Sequence, residues 1–407
     1  MLKEKEMCKK SILIIMPYLN CGGVESTLLS MLEIINKEKY EITLLLLENK
    51  GEFIKRIPPQ IKVKEIELPE KEKGIFYGKR KMMLHYLKKG HIHKIPSYLL
   101  YNRKNGLTEN RENNATYFRR ISSSIPVLDG EYDLAIDYFG YATFTTFYLA
   151  EKVQAKKKVS WLHSILSRFQ PQSFEEWYRE MDVIFACSKM VKKDFENVFP
   201  GINTVQTFYN IIHPKEICRM AQIQGGFEDK FEGIRILTVG RICYEKGIDL
   251  AIEAYKGLIE SGYKVRWYLI GGGSTEDHQK FYGMLETDKE KDNFIFLGTK
   301  DNPYVYMKQC DIYVQPSRFE GYCTTTNEAR ILGCPIVMTN VSGAEEQIED
   351  GVTGYIVEQR GKSIFEGIEK LINNSEIRIR FCENIKKIEV DTVHEMSKLY
   401  ALLDEGD

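Results

Sequence analysis

The sequence predicts an α/β protein built from two consecutive doubly wound domains. Three observations predict it. Continuous apolar runs of strand length alternate with stretches of helical periodicity, the order that builds parallel sheets covered on both faces. The alternation lapses after residue 213 and restarts at residue 234 with the same strand, loop and helix order. The chain's 407 residues also exceed what one ordinary hydrophobic core fills. The division that follows is a first domain over 1–213, a polar linker over 214–232 carrying Gly225 and Gly226, and a second domain over 233–390. A ligand cleft is expected between the two domains, at the C-terminal ends of their strands.

Composition removes several classes. A formal net charge of −1 gives no reason to expect a nucleic-acid partner. Nine dispersed cysteines, none in a CxxC pair, read as reduced thiols of a cytoplasmic protein. The apolar run at 11–16 is too short for a signal-peptide core or a membrane span. No HExxH or clustered His and Cys signature supports a metal site.

In the first half, residues 11–16 form a buried parallel strand, 17–21 a loop, 26–35 a helix opened by Gly22, Gly23, Val24 and Glu25, and 40–47 the second strand. Gly22 and Gly23 either let a ligand approach the backbone or simply make a tight turn. Residues 61–68 alternate like a strand. Residues 71–104 are strongly basic with interleaved aromatics, including Phe76, Tyr77, Tyr98 and Tyr101. This is either a surface for anionic lipid headgroups or a solvated helical face with Met82, Met83, Leu84 and Leu87 turned inward. Residues 102–114 read as a polar loop. Strands are expected over 132–137, 158–163 and 181–188, and a helix over 189–198. His163 ends the second of these strands and would face the cleft, although a lone histidine is as readily structural.

In the second half, strands are expected over 234–240, 265–270, 294–298, 311–315, 334–339 and 354–357. Helices are expected over 249–261, from 275 through about 290, and over 303–310, 324–332, 344–348, 363–373 and 391–403. Gly271 to Gly273 lacks the GxGxxG fingerprint and the acid about 20 residues on, which disfavours a dinucleotide dehydrogenase.

The chemistry concentrates in residues 315–330. A strand, a turn with Pro316 and Gly321, and a helix N-terminus together form an anion site, because the opening N–H groups of a helix have no internal partner. Glu320 and Glu328, with seven residues between them, would repel an anion there. They fit if they read uncharged hydroxyls, as on the sugar of a nucleotide sugar. Arg241 and Lys246, in one loop after a strand and flanked by Gly240 and Gly247, would hold a diphosphate. The bland alternatives are solvated bases in a surface loop and acids favoured by a helix dipole. Two carboxylates also serve hydrolytic acid–base chemistry, which would not need the basic pair.

Residues 239–247, 271–273, 316–321, 329–335, 343–346 and 350–354, with the Glu320–Glu328 pair, resemble family 4 glycosyltransferases of the retaining GT-B class. Residues 22–25 and 161–163 fit the N-terminal half of that pattern. The resemblance is specific over about 235–357, weaker over 11–35 and 155–212, and absent over 50–130. It implies a GT-B fold, two Rossmann-like domains facing across a cleft, with the last helix (391–407) crossing back to the first domain. It implies that Arg241 and Lys246 bind the donor diphosphate, Glu328 the ribose, and Glu320 the hydroxyls of the transferred sugar. The backbone from Gly321 through Tyr322 and Cys323 to Thr324 would hold phosphate and sugar. Gly22 and Gly23 would close on the phosphates, Gly271 would belong to the donor site, His163 would lie near the donor sugar, and Asn210 near the hinge. Front-face transfer with retention, without metal or other cofactor, is implied.

Tyr322 and Cys323 depart from the family pattern, so the donor sugar is not carried over, although a UDP-sugar is favoured. The local style resembles capsule, exopolysaccharide and lipopolysaccharide enzymes, whose acceptor is a glycan or lipid-linked glycan at the inner membrane face. A cytoplasmic protein, peripheral at that membrane, is the expectation. A GT-B hydrolase or epimerase and a silent nucleotide-sugar-binding subunit remain as alternatives.

Overall fold

The structure, a computed structural model, describes residues 9–20, 22–70, 72–73, 79–97, 99–100, 111–388 and 390–404. The chain divides into two compact units, residues 1–187, 191–208 and 396–407 in one, and 188–190 with 209–395 in the other. Each is an α/β unit around its own all-parallel sheet.

The first unit's sheet has seven strands: β1 (Lys10–Met16), β2 (Tyr40–Leu46), β3 (Lys62–Glu65), β4 (Glu131–Asp137), β5 (Gln154–Leu162), β6 (Val183–Ala186) and β7 (Val205–Thr207). Their order is β3-β2-β1-β4-β5-β6-β7. β1 pairs in register with β2 on one side (Ile14 with Leu44) and β4 on the other (Ile14 with Ile136). Chain order reverses between β1 and β4, which opens a crevice at their C-terminal ends. Ile12 through Met16 are fully buried on both faces, which is why this strand reads as an unbroken apolar run. The closing helix Met396–Asp404 belongs to this unit. Tyr400 stacks on Tyr40 at 5.5 Å, and Lys398 Nζ donates to the Thr207 carbonyl at 2.7 Å.

The second unit's sheet has six strands: β8 (Ile234–Val239), β9 (Val265–Ile270), β10 (Phe294–Gly298), β11 (Ile312–Gln315), β12 (Ile336–Thr339) and β13 (Gly354–Val357), ordered β10-β9-β8-β11-β12-β13. Alternate residues feed two cores. Ile236, Ile312, Val314 and Val337 enter one with the helices Ile248–Glu260 and Gly361–Asn373. Leu237, Tyr313, Ile336 and Met338 enter the other. The period of two along each strand places every apolar side chain in one core or the other. Here the order reverses between β8 and β11.

Several sequence expectations differ from the structure. Residues 214–232 are not a bare linker: they hold the helix Pro214–Met220, Phe227 packs on Tyr268, and Asp229 bridges Arg235 and Arg266. Of the loop expected over 102–114, residues 102–110 lie outside the described residues, and Arg111–Ile121 is a helix burying Ala115, Tyr117, Phe118 and Ile121. Its polar letters hid that apolar stripe. The single helix expected up to 290 is two, Thr275–Tyr282 and Asp288–Asn293, the second opened by a Thr287–Glu290 capping box. In the helix Lys79–Lys88, Met82 and Tyr86 are buried while Leu84 and Leu87 face out, so of the two readings of this stretch the solvated face with both leucines turned inward does not hold. Phe76, Tyr77, Tyr98 and Tyr101 of the basic stretch lie outside the described residues.

Candidate functional site

In the second unit the chemistry-bearing loops leave the C-terminal ends of β8 and β11, the two strands flanking the reversal of strand order. That is where open α/β sheets hold ligands. Backbone demands bring the loops there. Gly271 follows β9, and a Cβ at that position would lie 1.8 Å from the Gly240 carbonyl oxygen. Gly247 has φ +65°, and a Cβ there would lie 2.0 Å from the Pro316 carbonyl oxygen. The loops after β8, β9 and β11 therefore touch backbone to backbone.

A clamp adds to this. The Arg318 guanidinium forms a two-pronged pair with Asp249, both bonds 2.7 Å, donates to the Tyr244 carbonyl, and lies 4.0 Å from the Tyr244 ring centroid. Its backbone N–H donates to the Glu245 carbonyl at 2.8 Å. The bidentate geometry fixes orientation as well as distance. The Arg318–Asp249 clamp was not foreseen, because both residues read alone as ordinary surface charges.

The clamp brings Lys246 to Glu320. Lys246 Nζ donates to Glu320 Oε1 at 2.6 Å, with the side chains 20% and 9% exposed. Burial lowers the affinity of the Lys246 ammonium for its proton, and the facing Glu320 carboxylate more than offsets that, holding its pKa above the usual value. The same Oε1 accepts from Ser317 Oγ at 2.6 Å and from Gln315 Nε2 at 3.4 Å. Gln315 is itself fixed, accepting from Tyr313 at 2.7 Å and Thr325 at 3.1 Å and donating to Ser317 at 2.8 Å. Sequence reasoning assigned no role to Tyr313, Gln315 or Ser317. The one available signal was a strand ending on a glutamine, an amide that a buried position leaves needing partners.

The helix Thr324–Ile331 starts immediately after this turn, with Cys323 as its N-cap. The N–H groups of Thr324 to Thr326 open the helix and have no partner within it. The Cys323 N–H already donates to Gln347 Oε1 at 3.3 Å, while Gln347 Nε2 donates back to the Cys323 carbonyl at 2.7 Å. A ligand would therefore have to displace Gln347 to reach that N–H. Cys323 itself is buried, and burial pushes its thiol up to about 11. Tyr322 is buried too, its ring 5.1 Å from Tyr209. Both side chains pack into the protein, so their influence on a bound sugar passes through the loop they anchor. Glu328, one turn into the helix, is half-buried and accepts from Tyr304 Oη at 3.1 Å. Arg241 is exposed after β8. Asn210 is buried, with its carbonyl accepting from Thr392 Oγ1.

The remaining expected residues belong to the first unit. Gly22 is the N-cap of the helix Gly23–Ile34, and a Cβ on it would lie 2.4 Å from Glu25 Oε2. A carboxylate of the chain itself thus occupies the space beside Gly22, at the positive end of the helix. His163, just past β5, is buried, parallel to the Trp161 ring at 6.0 Å and 4.7 Å from the Tyr138 ring. Sequence reasoning passed over Asp137, at the end of β4. It is fully buried and accepts from Thr146 Oγ1 at 2.7 Å and from the Phe139 N–H. Burial, only partly countered by these bonds, pushes its pKa up to about 6.

Comparison with known proteins bears on this arrangement. Residues 227–388 match the protein family described as "Glycosyl transferases group 1". The chain is 34% identical over 152 residues to the capsular polysaccharide biosynthesis glycosyltransferase CapM of Staphylococcus aureus, covering 37% of this chain and 39% of that protein. It is 28% identical over 204 residues to the N-acetylgalactosamine-N,N'-diacetylbacillosaminyl-diphospho-undecaprenol 4-alpha-N-acetylgalactosaminyltransferase of Campylobacter jejuni, covering 49% and 53%. The chain thus spans about half the length, or less, of these curated relatives. Among solved structures, Anabaena HepE in complex with UDP-glucose aligns with a TM-score of 0.68 at 16% identity, over 97% of this chain and 99% of that one. WaaG, a glycosyltransferase involved in lipopolysaccharide biosynthesis, aligns with a TM-score of 0.63 at 15% identity, over 97% and 100%. These likenesses establish the fold.

Proposed function

From the premise that residues 227–388 form a group 1 glycosyltransferase domain in a chain of GT-B fold, we propose that the protein is a retaining glycosyltransferase. It would move a sugar from a nucleoside-diphosphate sugar, UDP-sugars favoured, to a glycan or lipid-linked glycan of a cell-surface polysaccharide. The observation that carries this reading is the Lys246–Glu320 pair, held where β8 and β11 end, beside the helix that carries Glu328. The names of the relatives, CapM above all, support the polysaccharide setting.

In this reading Lys246 keeps one N–H on Glu320 and turns its others to the diphosphate, joined by exposed Arg241 and the opening N–H groups of Thr324 to Thr326. Glu328 accepts from the ribose hydroxyls. Glu320 Oε1 is engaged by three donors, so Oε2 reads the sugar hydroxyls. The acceptor oxygen bonds to the anomeric carbon on the face the diphosphate leaves. The carbon–oxygen bond to the β-phosphate breaks, and the acceptor's proton passes to the departing phosphate oxygen. No step calls for a metal ion or other cofactor. The reading also assigns the first unit's His163 and Gly22–Gly23 turn to the donor, and a phosphate beside Gly22 would require Glu25 to yield. With a lipid-linked acceptor the protein would work as a cytoplasmic, peripheral membrane enzyme.

The test is incubation with UDP- and GDP-sugars, with and without an acceptor lipid extract. Nucleoside diphosphate released only when acceptor is present is the expected result. Release at full rate without acceptor would replace transfer by hydrolysis, and tight binding without turnover would mark a silent binding subunit.

A further inference from the structure

The helix Lys79–Lys88 and the turn after it present a surface the catalytic reading does not use. Residues 79–100 contain six Lys and Arg and no Asp or Glu, in a chain of net charge −1. The helix packs inward through Met82 and Tyr86, with Met83 and Ile95 against them. On the opposite side Leu84 and Leu87 are 49% and 48% exposed, with exposed Lys88 next to them. Ile92, Leu99 and Leu100, further along, are also exposed. A helix with one buried apolar face has no packing reason to carry a second, outward one.

On the flank between these faces lies a cavity of about 340 Å³ lined by Leu68, Glu70, Lys73, His85, Lys89 and His91. The one carboxylate among its described lining residues, Glu70, is already engaged by Lys94 at 3.3 Å and His85 at 3.4 Å. The remaining bases face a space large enough for a phosphate headgroup.

We infer that residues 79–97, with Leu99 and Leu100, dock the protein on an anionic phospholipid surface, with Leu84 and Leu87 entering the interface, Lys88 and Lys89 meeting phosphates, and the cavity taking a headgroup. Outward leucines bordered by lysines match a bilayer interface in both chemistry and charge, which an aqueous face or an uncharged protein groove would not. The inference deepens the proposed function, because it rests on an acceptor carried by a membrane lipid.

The experiment is co-sedimentation of the full chain with vesicles of phosphatidylcholine alone or doped with phosphatidylglycerol. UDP-induced thermal shift is read on the same samples. The wild type is expected to bind the anionic vesicles and to be released by salt. Lys88→Glu/Lys89→Glu should weaken partition at least about tenfold. Leu84→Ser/Leu87→Ser should weaken it by a similar factor, about tenfold, since each buried leucine contributes to partition. All four side chains are exposed, so both variants should melt like the wild type. No binding, equal binding to neutral vesicles, or either variant binding like the wild type overturns the inference. The UDP shift separates the two failures: its loss strikes at the proposed function, while its persistence without vesicle binding strikes at the docking surface alone.

Discussion

Glu320 receives three donors on one oxygen, and this fixes what its other oxygen can do. A carboxylate free to rotate would share Lys246 with the ligand, whereas one pinned by Ser317 and Gln315 presents Oε2 in a single orientation. Ser317→Ala should therefore lower kcat about tenfold while leaving UDP affinity unchanged, since a hydrogen bond to a charged group contributes about 1.5–3 kcal/mol. Steady-state kinetics beside calorimetric UDP titration checks this. A parallel loss of UDP affinity would instead show a merely structural role. Lys246→Ala should lose about a hundredfold or more in kcat, the scale for removing a donor from a developing anion. Glu328→Ala should weaken UDP binding, and an unchanged dissociation constant would remove Glu328 from the ribose. Asp137 predicts a pH effect of unusual sign. Its folded pKa of about 6 lies above the unfolded 3.8, so between those values the unfolded chain releases its proton first. Its contribution to stability is complete below pH 3.8 and is lost as pH rises to about 6, a change of about 3 kcal/mol. Asp137→Asn should remove this component. Melting curves of both proteins from pH 4 to 7 should therefore diverge, with the variant gaining relative to wild type as pH rises.

The loops after β8, β9 and β11 act as one element because their backbones meet at glycines. Gly247→Ala would combine a positive φ with a Cβ 2.0 Å from the Pro316 carbonyl oxygen. Neither can relax without parting the loops. A loss of about 1–3 kcal/mol or more is expected, together with weakened UDP binding, because Lys246 is the adjacent residue. A variant that melts and binds like wild type would show that the loops are not coupled there. Much at this scale was legible in the sequence. Every strand of the second sheet was expected to within about two residues, because strands buried on both faces leave unbroken apolar runs. The Lys246 and Glu320 loops were recognised from their glycines and charges. What was not legible needed three dimensions. Glu25 folding back on Gly22, Gln347 taking the Cys323 N–H and Arg318 finding Asp249 are pairings between residues whose letters fit solvent equally well. The helix Arg111–Ile121 escaped because its buried stripe sits among Arg, Glu and Asn. The inward alternative for Leu84 and Leu87 followed from the tendency of apolar letters to be buried, which carries no information about which leucines remain outside.

At the scale of the molecule, chain order and compact units disagree. The chain leaves the first unit at residue 208, builds the whole second sheet, and returns at residue 396 to finish the first. The returning helix Met396–Asp404 is no loose tail. Leu399 and Leu403 are buried, Tyr400 stacks on Tyr40 of β2, and Lys10 Nζ of β1 donates to the Leu403 carbonyl at 2.6 Å. Those contacts reach the first two strands of the sequence, so the closing helix stabilises the start of the sheet. Leu399→Ala should cost about 2–5 kcal/mol, the range for emptying a buried leucine site. The loss should appear in a place sequence position would not indicate. Amide hydrogen exchange should accelerate in β1 and β2, more than 350 residues away along the chain, and remain unchanged in β8 and β9. Faster exchange confined to residues adjoining 399 in sequence would mean that the helix frays without supporting the sheet.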